Sequence, residues 1–207
     1  DEILLGRRRS EYFIPVPASK KAGAQLQLDN EWTAERIRPN DFVNEVRGRV
    51  DLWRKRGYAH VTPTTRRLLE YWSDSGRENR VLFAQREAVE TAIYLAEAAT
   101  KDSQGWMLTR LEETNEEFNA GLPRIALKMA TGSGKTVVMA MLIAWQVLNK
   151  SAGPQDKRFT RRFLIVAPGV TIRDRLRVLL PEHEGNYYRE RDLVPADLVP
   201  TLGTAQI

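Results

Sequence analysis

The sequence predicts an α/β fold: the first, truncated part of a parallel sheet, preceded by a mostly helical N-terminal region. Three observations predict it. Between residues 41 and 122, apolar residues recur at helical spacing. From residue 123 onward, short apolar runs alternate with helical stretches, the pattern of parallel strand–helix units. A glycine-rich turn, MATGSGKT at 129–136, stands between the first such run and its helix.

Residues 1–40 mix charge with Pro15, Pro17 and Pro39 and show little periodicity, so they read as an extended arm. In the next stretch Val43, Val46, Val50 and Trp53 fall on one helical face, and Gly57 is a natural stop. Thr62-Pro63 opens a second helix with Leu68, Leu69 and Trp72 inward. The third is expected from about Ala84 to Ala99, with Val89, Ala92, Ile93 and Ala96 as its stripe. A fourth, about Trp106 to Asn119, carries Glu112, Glu113, Glu116 and Glu117 on a solvated face. Ile125 to Met129 reads as a strand entering the glycine turn. The helix from Lys135 to about Asn149 is apolar nearly all round, hence buried. Phe163 to Ala167 reads as a second strand, followed by Pro168-Gly169 and a basic helix through Arg173, Arg175 and Leu179. Residues 181–203 are a loop-rich connection, and Ala205-Gln206-Ile207 starts another strand. The boundaries drawn are 1–40, 41–122 and 123–207.

The chain has 207 residues, 42% hydrophobic and 29% charged, enough apolar material for a core. It has no cysteine, which excludes disulfides and thiolate metal sites. Its longest apolar run, Val137 to Trp145, is too short to span a bilayer. Asp1-Glu2 and the arginines at 7–9 do not suit a signal peptide, so a cytoplasmic protein without a membrane partner is the expectation. The net charge of +5 favours a polyanion partner, with basic stretches at 47–56 and 157–177.

The glycine turn carries the chemistry. A triphosphate needs several donors and a main chain it can approach closely. Gly132 and Gly134 remove side chains there and permit positive φ. Amides of residues 132–136, with Thr131 and Ser133 in the same cradle, meet the positive end of the following helix. Lys135 is expected to reach the β- and γ-phosphates, and the Thr136 hydroxyl to hold Mg²⁺. The plainer alternative is a Gly-Ser-Gly turn capping an ordinary helix. Met129 stands where the first glycine of such a loop usually is. Upstream, Gln85 in FAQREAV is placed to read an adenine edge with its C=O and NH₂. Downstream, strand end, turn and arginines follow one another in LIVAPGVTIRDRL, where ligands gather in open α/β sheets.

Together these pieces resemble the first motor domain of superfamily-two helicases, in the DEAD/DEAH-box helicase-like family related to the Res subunit of type III restriction enzymes. MATGSGKT is similar to motif I, LIVAPGVTIRDRL to motif Ia, and FAQREAV to the adenine-reading glutamine segment. RRRSEYFIPVP, PTTRRLLEYW and NYYRERDLVP look like the same family. The resemblance implies a partial RecA-like P-loop domain that binds ATP and Mg²⁺, within a DNA helicase or translocase of a restriction or phage-defence system. It implies duplex DNA, the remaining motor domain and a nuclease domain as partners, with Pro168, Gly169, Thr171 and Arg173 near the nucleic-acid backbone. The resembled family completes its site with an acidic D-E-x-x motif and a second motor domain, so these 207 residues alone are expected to bind nucleotide weakly and turn over little. Without later strands the 137–148 helix is expected to expose a large apolar surface. A non-catalytic nucleotide-binding module and a small P-loop kinase remain as other readings.

Overall fold

The computed structural model describes residues 8–14 and 37–207, in two compact units divided between Leu52 and Trp53. In the first, β1 (Glu11–Phe13) pairs antiparallel with β2 (Ile37–Pro39), Tyr12 opposite Arg38. Ser10 and Asn44 exchange two hydrogen bonds, the Ser10 N–H donating to Asn44 Oδ1 at 2.7 Å and Asn44 Nδ2 donating to Ser10 O at 2.9 Å. Pro15, Pro17 and most of the expected arm lie outside the described residues. Helix α1 (Asp41–Lys55) opens on an acid and ends on two bases, as its dipole favours. Val46, Val50 and Trp53 are buried, as their spacing predicts.

Four longer helices make the second unit with α1's last turn. Thr62 caps α2 (Pro63–Ser73) by accepting the Thr65 N–H, and Leu68, Leu69 and Trp72 point inward. Helix α3 (Phe83–Ile93) continues into a π-helical turn, Tyr94–Ala98, in which the Ala99 N–H reaches back to Tyr94 O at 2.8 Å. That wider turn adds one residue to the cycle. It moves the inward face from Ala96, which is exposed, to Glu97, which is buried, so the expected stripe is corrected at its end. Helix α4 (Trp106–Asn119) buries only Met107 and leaves its glutamates in solvent. Helix α5 (Lys135–Ala152) is the centre of the unit and packs against α2, α3 and the 3₁₀ turn Val199–Thr204.

The parallel sheet is not seen. Among the described residues the one sheet is β1–β2, and neither 125–129 nor 163–167 forms a strand. A strand owes its bonds to its neighbours. The 163–167 segment has one such contact: the Phe163 N–H donates to Gln206 O at 2.8 Å and the Gln206 N–H to Arg161 O at 2.7 Å. The strand expected at 205–207 is thus a single parallel bridge, Arg162 to Gln206. The feared apolar exposure falls elsewhere than on α5, whose Val138, Met141, Ile143, Val147 and Leu148 are all buried. It falls on the extended segment instead, where Leu164 is 89% and Val166 84% exposed. Basic residues after it form α6 (Val170–Arg175) and a 3₁₀ turn at Leu176–Leu179, and α7 (Tyr187–Glu190) interrupts the later loops. No helix among the described residues is long and apolar enough to cross a membrane.

Tyr58, also buried, donates to Glu90 Oε1 at 2.7 Å. Burial, and then the Glu90 carboxylate, push its phenol pKa up to about 12, and burial raises Tyr188 and Tyr71 as well. A raised acid pKa means the fold favours the neutral phenol, whereas the unfolded chain ionises near about pH 10. This contribution to stability is therefore complete below pH 10 and is lost as pH rises through about 12. Urea-unfolding free energy should fall across that window, and more shallowly in Tyr58→Phe. An equally steep fall in the variant would contradict the assignment.

Candidate functional site

The glycine turn is built on the start of α5. Gly134 precedes the helix in the left-handed region, φ 81° and ψ 44°, and Gly132 has φ 79°. Only glycine adopts these angles without strain, as the sequence predicts for a phosphate cradle. Inside the turn, Ala130 O accepts from Ser133 Oγ at 2.7 Å and from Lys135 Nζ at 2.8 Å. The Lys135 ammonium therefore lies across the loop, and the residue is exposed. Lys135 and Thr136 are the first two helical residues, so their N–H groups have no carbonyl one turn back within the helix. Thr131 and Gly132 are exposed, while Ser133 and Thr136 are half-buried. Open main chain, free helix amides and an ammonium in one turn fit a phosphate group.

Gln85, 48 positions before Ser133 in the sequence, is brought to this loop. It is 7% exposed, and its Nε2 donates to Ser133 O at 3.1 Å while its Oε1 accepts the Leu82 N–H at 2.9 Å. Gly134 lies so close that a methyl group there would overlap Gln85 Nε2. Beside it the exposed Phe83 ring sits under two guanidinium groups, Arg54 at 5.4 Å and Arg86 at 5.7 Å from its centroid.

Pro168, Gly169, Thr171 and Arg173 lie at the start of α6, all exposed. Pro168, Gly169 and Arg173 line an open pocket of about 520 Å³ together with Ile165, Arg177 and Ile207, whereas Thr171 does not. No residue of 129–136 lines it, so the pocket and the loop are separate features.

Two phrases singled out in the sequence meet. Tyr71 donates to Asp192 Oδ1 at 2.5 Å and Trp72 Nε1 to Leu193 O at 2.8 Å. Just beyond, Arg67 grips both oxygens of Asp197, at 2.9 and 2.7 Å. Arg77 stacks on Tyr71 at 4.1 Å and donates to the Asp192 carbonyl. This clasp joins α2 to the loop after α7. The family described as "Type III restriction enzyme, res subunit" matches residues 72–196, more than half of the chain, and the match takes in Gln85, the loop and the α6 segment.

The chain belongs to the type III restriction enzyme Res-subunit family.

No curated protein and no solved structure matches the chain. Membership of the Res family implies a helicase-like, ATP-binding module with a RecA-like fold. Of the buried polar residues on α3 and the π turn, the sequence singled out only Gln85. Glu90 and Glu97, which the sequence did not single out, are 0% and 4% exposed.

Gly134→Ala should strain the left-handed backbone by about 1–2 kcal/mol and also push Gln85 off Ser133. Gly132→Ala meets open space and carries only the strain. Urea unfolding should show the larger loss for Gly134→Ala. Equal losses would mean that the Gln85 contact contributes nothing.

Proposed function

We propose that residues 129–136 bind the triphosphate of ATP with Mg²⁺, and that the chain is the nucleotide-binding N-terminal portion of a DNA helicase or translocase. The observation that carries this reading is Lys135 lying across a two-glycine turn at the start of a buried helix, within a chain of the Res family. Lys135 holds the β- and γ-phosphates, the amides of 132–136 hold the remaining oxygens, and Thr131 and Ser133 border them. Thr136 supplies a hydroxyl to Mg²⁺, which neutralises charge between the phosphates when bound. Among the described residues no cluster of three or more acidic or histidine side chains could hold a metal ion. Exposed Arg173, with Pro168, Gly169 and Thr171, contacts the DNA backbone, and the remaining motor domain and a nuclease are the protein partners. The family match is the support for a role in restriction or phage defence.

Titrating Mg·ATP into the chain by calorimetry should give saturable binding that Lys135→Ala weakens roughly 10- to 100-fold, the effect of a charge-assisted hydrogen bond. Unchanged affinity in the variant would remove the loop from the site. In the full reading frame, ATP turnover should rise with duplex DNA and be lost with Lys135. Turnover indifferent to DNA but dependent on a small acceptor would replace the motor with a kinase.

A further inference from the structure

We propose that residues 163–167 form a self-association edge, on which a second copy of this chain pairs antiparallel about a two-fold axis at Ile165. The segment, FLIVA, holds no charge. Its exposure alternates, with Leu164 and Val166 open and Phe163, Ile165 and Ala167 half-buried, the period of a strand. One edge of it is already used. The Phe163 N–H and the Arg161 C=O both bond Gln206, so the odd-numbered residues turn their main chain to that side. In a strand the residues between them turn theirs to the opposite side. There the N–H and C=O groups of Leu164 and Val166 have no hydrogen bond among the described residues. An open apolar edge of this kind is a template for another strand. The other apolar run, 125–129, carries Lys128 and has no bridge that fixes which way it faces.

A second copy is the occupant because the edge is its own complement. Centred on Ile165, Leu164 stands opposite Val166 of the second copy, and Val166 opposite its Leu164. Each pair exchanges N–H and C=O bonds, and apolar side chains meet on both sides of the axis. The charges stay apart. Arg162 falls opposite Pro168 and Arg161 opposite Gly169, so no guanidinium faces another across the pair. The Arg162 side chain is also held on the used side, donating from Nε to Gln206 Oε1 at 3.0 Å. Pairing ends by itself at the same place. Pro168 has no N–H, and the Arg162 N–H is already donated to Thr160 Oγ1 at 3.0 Å. The contact is therefore short and closed, a dimer of modest affinity rather than a growing sheet.

Because the 207-residue chain has no cysteine, introduced thiols report the register. Across the axis the two Ile165 Cα atoms should lie about 4.5 Å apart, and Leu164 about 5.5 Å from Val166 of the second copy. Both distances suit a disulfide, whereas Leu164 to Leu164 is a diagonal of about 7–8 Å and does not. In a glutathione redox buffer Ile165→Cys should cross-link, and so should a mixture of Leu164→Cys and Val166→Cys chains. Either chain of that mixture alone should cross-link roughly tenfold less. Leu164 and Val166 are exposed, so the mixture reports the register even if Ile165→Cys does not fold. Sedimentation equilibrium of the parent chain should show a monomer–dimer equilibrium, weakened roughly tenfold by Leu164→Lys. Phe118→Lys, at another exposed apolar residue, should leave it unchanged. Three results overturn the proposal: a parent chain that stays monomeric up to about 0.5 mM, equal weakening by both lysines, or Leu164→Cys cross-linking alone as readily as the mixture. None of these readouts involves nucleotide, so the triphosphate reading stands or falls separately.

Discussion

A carboxylate buried among helices must be met by donors, because leaving it unpaired there costs several kcal/mol. Glu97 is met by three. Its Oε1 accepts Thr65 Oγ1 at 2.7 Å and Trp145 Nε1 at 2.8 Å, and its Oε2 accepts the Thr62 N–H at 2.9 Å. Asn149 closes the group, donating to Thr65 Oγ1 at 2.9 Å and accepting from Thr62 Oγ1. These donors come from the start of α2 and the middle of α5, while the acceptor comes from the π turn after α3. Apolar packing would tolerate small slides between the helices, but this network is satisfied in one register.

The same register appears at the other end of the pair. Gln85 and Ser133 are separated by 48 positions, and so are Glu97 and Trp145. Helices α3 and α5 therefore run side by side in one direction, pinned at two places roughly 18 Å apart at 1.5 Å per residue. Between the pins, Glu90 accepts Arg54 Nε at 2.9 Å and the Tyr58 hydroxyl at 2.7 Å. The glycine turn is short and partly exposed. Its shape depends on where α5 begins relative to Gln85, and that depends on the buried glutamate at the far end.

The helices were legible because their signals are local. Thr62-Pro63 and Gly57 mark ends, and the spacing of Val46, Val50 and Trp53 marks a face. The loop was legible for the same reason: a glycine pair before Lys-Thr permits positive φ, and both glycines adopt it. The nearness of Gln85 to Ser133, by contrast, could only be inferred through a family resemblance. The π turn had no sequence signal, so Ala96 read as a core residue and Glu97 was not singled out. The strands at 125–129 and 163–167 were read from apolar runs, but a strand is defined by a partner. Leu164 and Val166 show that an apolar run alone does not supply one.

Hydrogen exchange, read amide by amide in Glu97→Ala, tests most directly whether the buried network sets the geometry of the loop. Loss of the carboxylate should speed exchange at the start of α2, and also at the first amides of α5 and in residues 132–136, far from the substitution. Faster exchange confined to residues 62–65 and 94–99, with the loop amides unchanged, would contradict the account and leave the network as local packing.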